Sequence, residues 1–209
     1  MNTRANLIAS IAALLLAQAA LAEDAKNIIF FGNSFTQSGN GIQHIVRDVA
    51  IAAGQPAPFV VAVASGGMTL EQHAIIAPTT VSTSIPAGSH WDYAVMQEFS
   101  TRPTSVAPVG GNVPAFLSAT NSLFQTVRNH SPNAKGVLFE TWARGPSHEY
   151  YPTYWPVPEA MQAELRANYH TAADNLNATF GPDAALFAPV GDAFEDGDFD
   201  PSLYSSDIY

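Results

Sequence analysis

Short apolar runs alternate with longer segments whose apolar residues recur every three or four positions. NIIFF at 27–31 is β-branched and aromatic and predicts a buried strand. Ile42, Ile45, Val46 and Val49 then fall at helical spacing over 42–53, and Gly54 marks the stop. FVVAVAS (59–65) and YAVMQ (93–97) predict the second and third strands. Val113, Phe116, Leu117, Thr120, Leu123, Phe124 and Val127 share one helix face. GVLFET (136–141) predicts the fourth strand, and Met161, Leu165, Tyr169, Ala172 and Leu176 mark a helix with Pro158 near its start. ALFAPV (185–190) predicts the fifth. Such alternation predicts an α/β fold, a five-stranded parallel sheet with helices on both faces. The polar segments GNSFT, SGG, QEFS, TWARG and GDAF all follow carboxyl ends of strands, where such sheets build their working loops, and so point to one shared site.

The amino terminus changes the domain picture. Arg4, the apolar stretch 7–16 and Ala20-Leu21-Ala22 have the layout of a secretory leader, cut after Ala22. The stretch is too short and Ala-rich for a good membrane span, and no cysteine follows for a lipid anchor. A secreted or periplasmic protein is expected, with residues 23–209 as a single domain and no stable membrane anchor. With no cysteine, the domain is held by its core alone. A net charge of −10 and the lack of a basic patch argue against a nucleic-acid partner.

Chemistry is suggested first by Ser34, just past the first strand. A serine needs a base to become a nucleophile, and a strand-to-helix loop can expose its hydroxyl and aim backbone N–H groups at a developing oxyanion. By itself the pattern also fits a serine in a polar turn. IIFFGNSFT, however, resembles the first motif of the SGNH (GDSL-type) hydrolases, whose nucleophilic serine lies in a G-D/N-S loop after the first strand. That resemblance implies a three-layer α/β/α sandwich of flavodoxin-like topology and an esterase- or deacetylase-like activity without metal or organic cofactor. VASGGMTLEQH is similar to the second motif, whose glycine N–H helps form the oxyanion hole; Gly66 is the first candidate and Gly67 the alternative.

The third family motif, G-x-N-D, supplies an Asn donor to the oxyanion. This chain has VMQEFS, similar to a divergent branch with Gln-Glu-x-Ser. Gln97, with its amide donor, is the leading replacement; Glu98, Ser100 and the more distant Asn112 are alternatives, and Gln97 equally fits a structural cap on the strand end. The last family motif is D-x-x-H, in which the carboxylate orients the imidazole that takes the serine proton. Asp207-Ile208-Tyr209 fits its first three places, and the histidine would stand at position 210. The resemblance thus implies a Ser34–His–Asp207 triad whose base and closing helix lie beyond this sequence. It implies that the 209-residue form has little esterase activity and exposes apolar surface on one sheet face. Of the histidines present, only His148 follows a strand's carboxyl end.

Two other patterns compete for notice. Asp196, Asp198, Asp200 and Asp207 have partial calcium-loop spacing, but Pro201 occupies the place that needs glycine, so a solvated acidic loop is the better reading and no metal is expected. Tyr150, Tyr151, Tyr154 and Trp155 in a Pro-rich loop suit either stacking on a sugar or aryl group or a packed lid. The expected substrate is a small-molecule or carbohydrate ester. A non-catalytic carbohydrate- or ligand-binding protein on the same fold is the alternative, since fold alone does not confer activity.

Overall fold

The computed structural model describes residues 24–204; the segment 1–22, expected as a leader, and Asp207 lie outside them. Strands β1 (Asn27–Gly32), β2 (Phe59–Ala64), β3 (Tyr93–Met96), β4 (Lys135–Phe139) and β5 (Ala185–Ala188) form one parallel sheet in the order β2-β1-β3-β4-β5. This is the flavodoxin-like order. The chain leaves β1 toward β2 and returns to β3 on the other side, so a crevice opens between the carboxyl ends of β1 and β3. Ser34 and the QEFS segment flank that crevice.

The alternation of strand side chains divides the core. Ile29, Phe31, Ala94, Met96 and Leu138 pack against helices α3 (Leu70–Thr83), α4 (Val113–His130) and α5 (Pro158–Phe180). Phe30, Val95 and Phe139 face the other way, toward α1 (Ser34–Gln37), α2 (Ile42–Ala52) and α6 (Val190–Asp196). The first face is closed and contains the large buried rings, Trp91, Phe116, Phe124 and Tyr169 among them.

The second face is thinner. Ile42 packs into it, but the rest of the α2 stripe stays largely in solvent, with Ile45 45 % and Val49 62 % exposed. Across the sheet Leu186 is 41 % exposed, and Ile28, Val60 and Val137 are only partly buried. The apolar spacing predicted the helix correctly, but it does not by itself supply a surface for the stripe to cover.

Helix α3 illustrates the opposite case. Its buried positions Leu70, His73, Ala77 and Val81 include a histidine and an alanine, and Pro78 lies inside the helix, so no clear apolar stripe marks it. Its start is nevertheless firmly set. Thr69 accepts from the Gln72 N–H, and the Gln72 side chain returns to the Thr69 N–H, a reciprocal capping box.

Candidate active site

The β1 loop is built around close approaches. A Cβ on Gly32 would lie 2.0 Å from Thr36 Oγ1 and 2.7 Å from Gln97 Oε1, so only glycine fits there. The Gly32 carbonyl accepts from His73 Nε2 at 2.8 Å, which fixes the Nε2–H tautomer of that fully buried ring. Burial without a second partner for Nδ1 lowers the His73 pKa, and the ring stays neutral. Asn33 caps α1, its Oδ1 accepting from Phe35 N–H at 3.2 Å. Its Nδ2 donates to the carbonyls of Met68 (3.1 Å) and Glu98 (3.4 Å). Ser34, half-buried, is therefore the first residue of a short helix whose orientation is tied to both neighbouring loops. Its own N–H is one of the opening amides that a helix cannot satisfy internally.

The β3 loop supplies most of those ties. Gln97 Oε1 accepts from Asn33 N–H (3.1 Å) and from Thr36 Oγ1 (2.9 Å). Gln97 Nε2 donates to Asn33 Oδ1 (3.1 Å) and to the Glu98 carbonyl. Both amide protons are thus spent inside the protein, and Gln97 is 1 % exposed. Of the two readings of Gln97, this geometry is that of the structural one: it clamps the Ser34 loop in place. Asn112 is likewise a helix cap, accepting from Ala115 N–H at 3.1 Å at the start of α4. Glu98 Oε1 accepts from Leu70 N–H (3.1 Å) and Phe99 N–H (2.6 Å), which joins the start of α3 to the β3 loop. Ser100, 4 % exposed, accepts at Oγ from Arg144 Nη2 at 2.8 Å.

Past β4, Glu140 Oε1 accepts from Gln162 Nε2 at 2.5 Å, and Gln162 Oε1 accepts from Ala143 N–H at 2.7 Å. Helix α5 thereby fixes the turn that presents Arg144. Trp142 stacks between Phe35 (4.3 Å) and Phe194 (4.5 Å), which couples the Ser34 helix to this loop and to α6. Tyr151 Oη donates to the Arg144 carbonyl at 2.9 Å, and Tyr204 Oη to the Ala143 carbonyl at 3.0 Å. Trp155 is buried and donates to Glu164 at 2.8 Å. The aromatic loop is thus largely packed, with Tyr154 its exposed member.

These loops enclose an open cavity of about 250 Å³. Asn33, Ser34 and Phe35 line it from the β1 loop, Gly67 from the second, Phe99 and Ser100 from the third, and Arg144 and His148 from the fourth. Four of the five expected loop segments thus meet here, with His148 beside them, while GDAF forms part of α6 and is not among the lining residues. In the glycine pair, Gly67 (φ 73°) is on the wall, while Gly66 is exposed and outside the lining. His148 Nδ1 accepts from Tyr150 N–H at 3.3 Å, so the neutral ring carries its proton on Nε2; burial, reinforced by Arg144, lowers its pKa. His44 is exposed, and His90 binds the His130 carbonyl at the far side of the sheet. Among the described residues no cluster of three or more His, Asp or Glu side chains could hold a metal ion; Asp200 caps the turn at Pro201–Leu203.

Arg144 was missed in the sequence. Its signal was a cation directly after a strand end in a chain with only 8 Lys and Arg.

Two buried carboxyls stand beneath these loops. Glu98 and Glu140 are both solvent-inaccessible, and burial raises each pKa to about 7. A folded-state pKa above the unfolded value means that folding takes up a proton between roughly pH 4.5 and 7, so stability falls as pH rises through that window. His73 acts in the opposite sense, and its contribution is lost as pH falls below about 6.5. Tm is expected to be lower at pH 8 than at pH 6 by roughly 5 °C. Glu98→Gln, which keeps the acceptor for both N–H groups, should flatten that decline in thermal melts across the range. An equally steep decline in the variant would contradict the assignment.

No protein-family model and no curated protein matches the chain. Solved structures do. A protein from Slackia heliotrinireducens assigned to the SGNH hydrolases is 24 % identical with a TM-score of 0.65, over 88 % of this chain and 89 % of that one. The SGNH-family esterase AlinE4 is 10 % identical with a TM-score of 0.60, over 88 % and 85 %. The psychrotrophic esterase EstA from Pseudoalteromonas sp., in a structure inhibited by monoethylphosphonate, is 12 % identical with a TM-score of 0.57, over 88 % and 86 %. The strand order, the layering and these likenesses agree: the chain has the fold of the SGNH (GDSL-type) hydrolases.

Proposed function

We propose that the full-length protein is an SGNH-type serine ester hydrolase acting on small-molecule or carbohydrate esters. The observation that carries this reading is Ser34 itself. It stands on the wall of the cavity at the β1/β3 crevice, and its loop is held by Gly32, Asn33, Thr36 and Gln97. Neighbours of the same fold include proteins described as esterases, which favours ester chemistry over the alternative of a non-catalytic ligand-binding protein.

In this mechanism Ser34 Oγ attacks the ester carbonyl carbon while its proton passes to the histidine base of the D-x-x-H pattern that Asp207 begins. Asp207 orients that imidazole. The carbonyl electron pair moves onto oxygen and is met by the N–H groups of Ser34 and of the Gly66-Gly67 turn. Collapse breaks the bond to the alcohol oxygen, which takes the proton from the imidazolium. Water then attacks the acyl-enzyme by the same route, releasing the acid and restoring Ser34. Tyr204, the last described residue and three places before Asp207, is anchored on Ala143, beside the loop of Arg144 and His148. The test is turnover of a short-chain p-nitrophenyl ester. A chain carrying the complete D-x-x-H pattern should hydrolyse it. A folded full-length protein without turnover would favour the binding alternative.

A further inference from the structure

The β3 loop leaves a question that the hydrolase reading raises and the family pattern does not answer: which side chain meets the oxyanion where the usual Asn is missing. The candidates can be followed proton by proton. Asn33 has spent both Nδ2 protons on the Met68 and Glu98 carbonyls. Gln97 has spent both Nε2 protons on Asn33 and Glu98. Glu98 is fully buried, with Oε1 already accepting from two backbone N–H groups, and it does not reach the cavity wall. Ser100 is different. It lines the same cavity as Ser34 and Gly67, and its oxygen is occupied as an acceptor by Arg144 Nη2 at 2.8 Å. A hydroxyl has one proton to give and two lone pairs to fill, so an incoming guanidinium bond directs the hydroxyl proton away from Arg144. The positive charge behind the oxygen also strengthens that proton as a donor.

We propose that Ser100 is a further catalytic residue, whose hydroxyl donates to the oxyanion formed at Ser34, with Arg144 as the positioning residue behind it. The Gln-Glu-x-Ser segment then divides the labour of the absent motif. Gln97 clamps the nucleophile loop, Glu98 joins the second and third loops, and Ser100 faces the reaction. No proton is transferred at Ser100. It gives a hydrogen bond that strengthens as charge develops on the carbonyl oxygen and relaxes when the intermediate collapses.

This inference rests on the hydrolase reading, and its test separates the two. Full-length wild type, Ser34→Ala, Ser100→Ala and Ser100→Thr are compared in p-nitrophenyl ester kinetics and in the rate of labelling by a serine-reactive phosphonate. Ser100→Ala is expected to lose about 10²-fold in kcat with KM changed less than about threefold, as when one oxyanion donor is removed. Phosphonate labelling should slow in parallel, since the phosphoryl oxygen occupies the same place. Ser100→Thr keeps the hydroxyl and should recover at least about tenfold over the alanine variant. If Ser100→Ala does not fold, Ser100→Cys, with a weaker donor of similar shape, should still lose about tenfold or more in kcat. A kcat within about threefold of wild type in a folded Ala or Cys variant overturns the role of Ser100. So does a folded Ser100→Thr no better than alanine. If wild type neither turns over ester nor is labelled, or if Ser34→Ala behaves as wild type, the hydrolase reading fails and takes this role with it.

Discussion

Ser34→Ala in the full-length protein is expected to lower kcat/KM for a short-chain p-nitrophenyl ester by about 10⁴-fold or more. Removing the nucleophile removes the acyl-enzyme route altogether, and only the modest assistance of the oxyanion groups and of binding remains. The fold should be unaffected. Ser34 is half-buried, and its helix is held by the Asn33 cap, by Thr36 on Gln97 and by the Phe35–Trp142 stack, none of which uses the Ser34 hydroxyl. Steady-state kinetics with a thermal melt on the same preparation measure both. A loss of less than about tenfold with an unchanged melt would place the nucleophile elsewhere.

The second large effect is expected from Gly32→Ala, one methyl group added two residues before the nucleophile. Its Cβ would stand 2.0 Å from Thr36 Oγ1, 2.9 Å from Thr36 Cβ and 2.7 Å from Gln97 Oε1. Thr36 is buried on the inner side of α1, and Gln97 is fixed by four hydrogen bonds, so neither can withdraw without moving the Ser34 helix. Overpacking of this kind costs about 3 kcal/mol, or roughly 10 °C in Tm for a domain of this size. A displacement of about 1 Å at Ser34 should lower kcat about 10²-fold as well. Gly66→Ala is the control for stability. A Cβ there meets nothing within 4 Å, so its melt should stay close to that of wild type. Equal melts for the two variants would contradict the crowding argument.

What was legible in the sequence follows from what each signal measures. The five strands are short apolar runs with polar ends, and buried parallel strands have few other ways to look. Their carboxyl-end loops could be read as one site because a parallel sheet points them all the same way. Helix α3, in which His73 is expected from its place behind the second strand, carries no clear apolar stripe because its buried face includes His73 and Ala77, residues suited to hydrogen bonding and close packing rather than to hydrophobicity. Helix α2 was found by its spacing, yet most of its stripe is exposed, since periodicity reports a helix and not what covers it.

The same division runs through the site. The local context of Ser34 was enough to mark it as a candidate, and it lines the cavity. The use of Gln97 could not be read locally, because whether an amide faces substrate or protein depends on partners that lie 61 and 64 residues away in sequence. Arg144 reaches Ser100 across 44 residues, a contact that no local motif records. Asp207 lies outside the described residues, and its role stands on the hydrolase reading.

The central claim is that Ser34 is the nucleophile, and covalent capture tests it most directly. Full-length protein treated with a fluorophosphonate, digested and analysed by mass spectrometry should carry one phosphonyl adduct, on Ser34, and Ser34→Ala should carry none. An adduct on another residue, or an unmodified Ser34 in folded protein, would contradict the account.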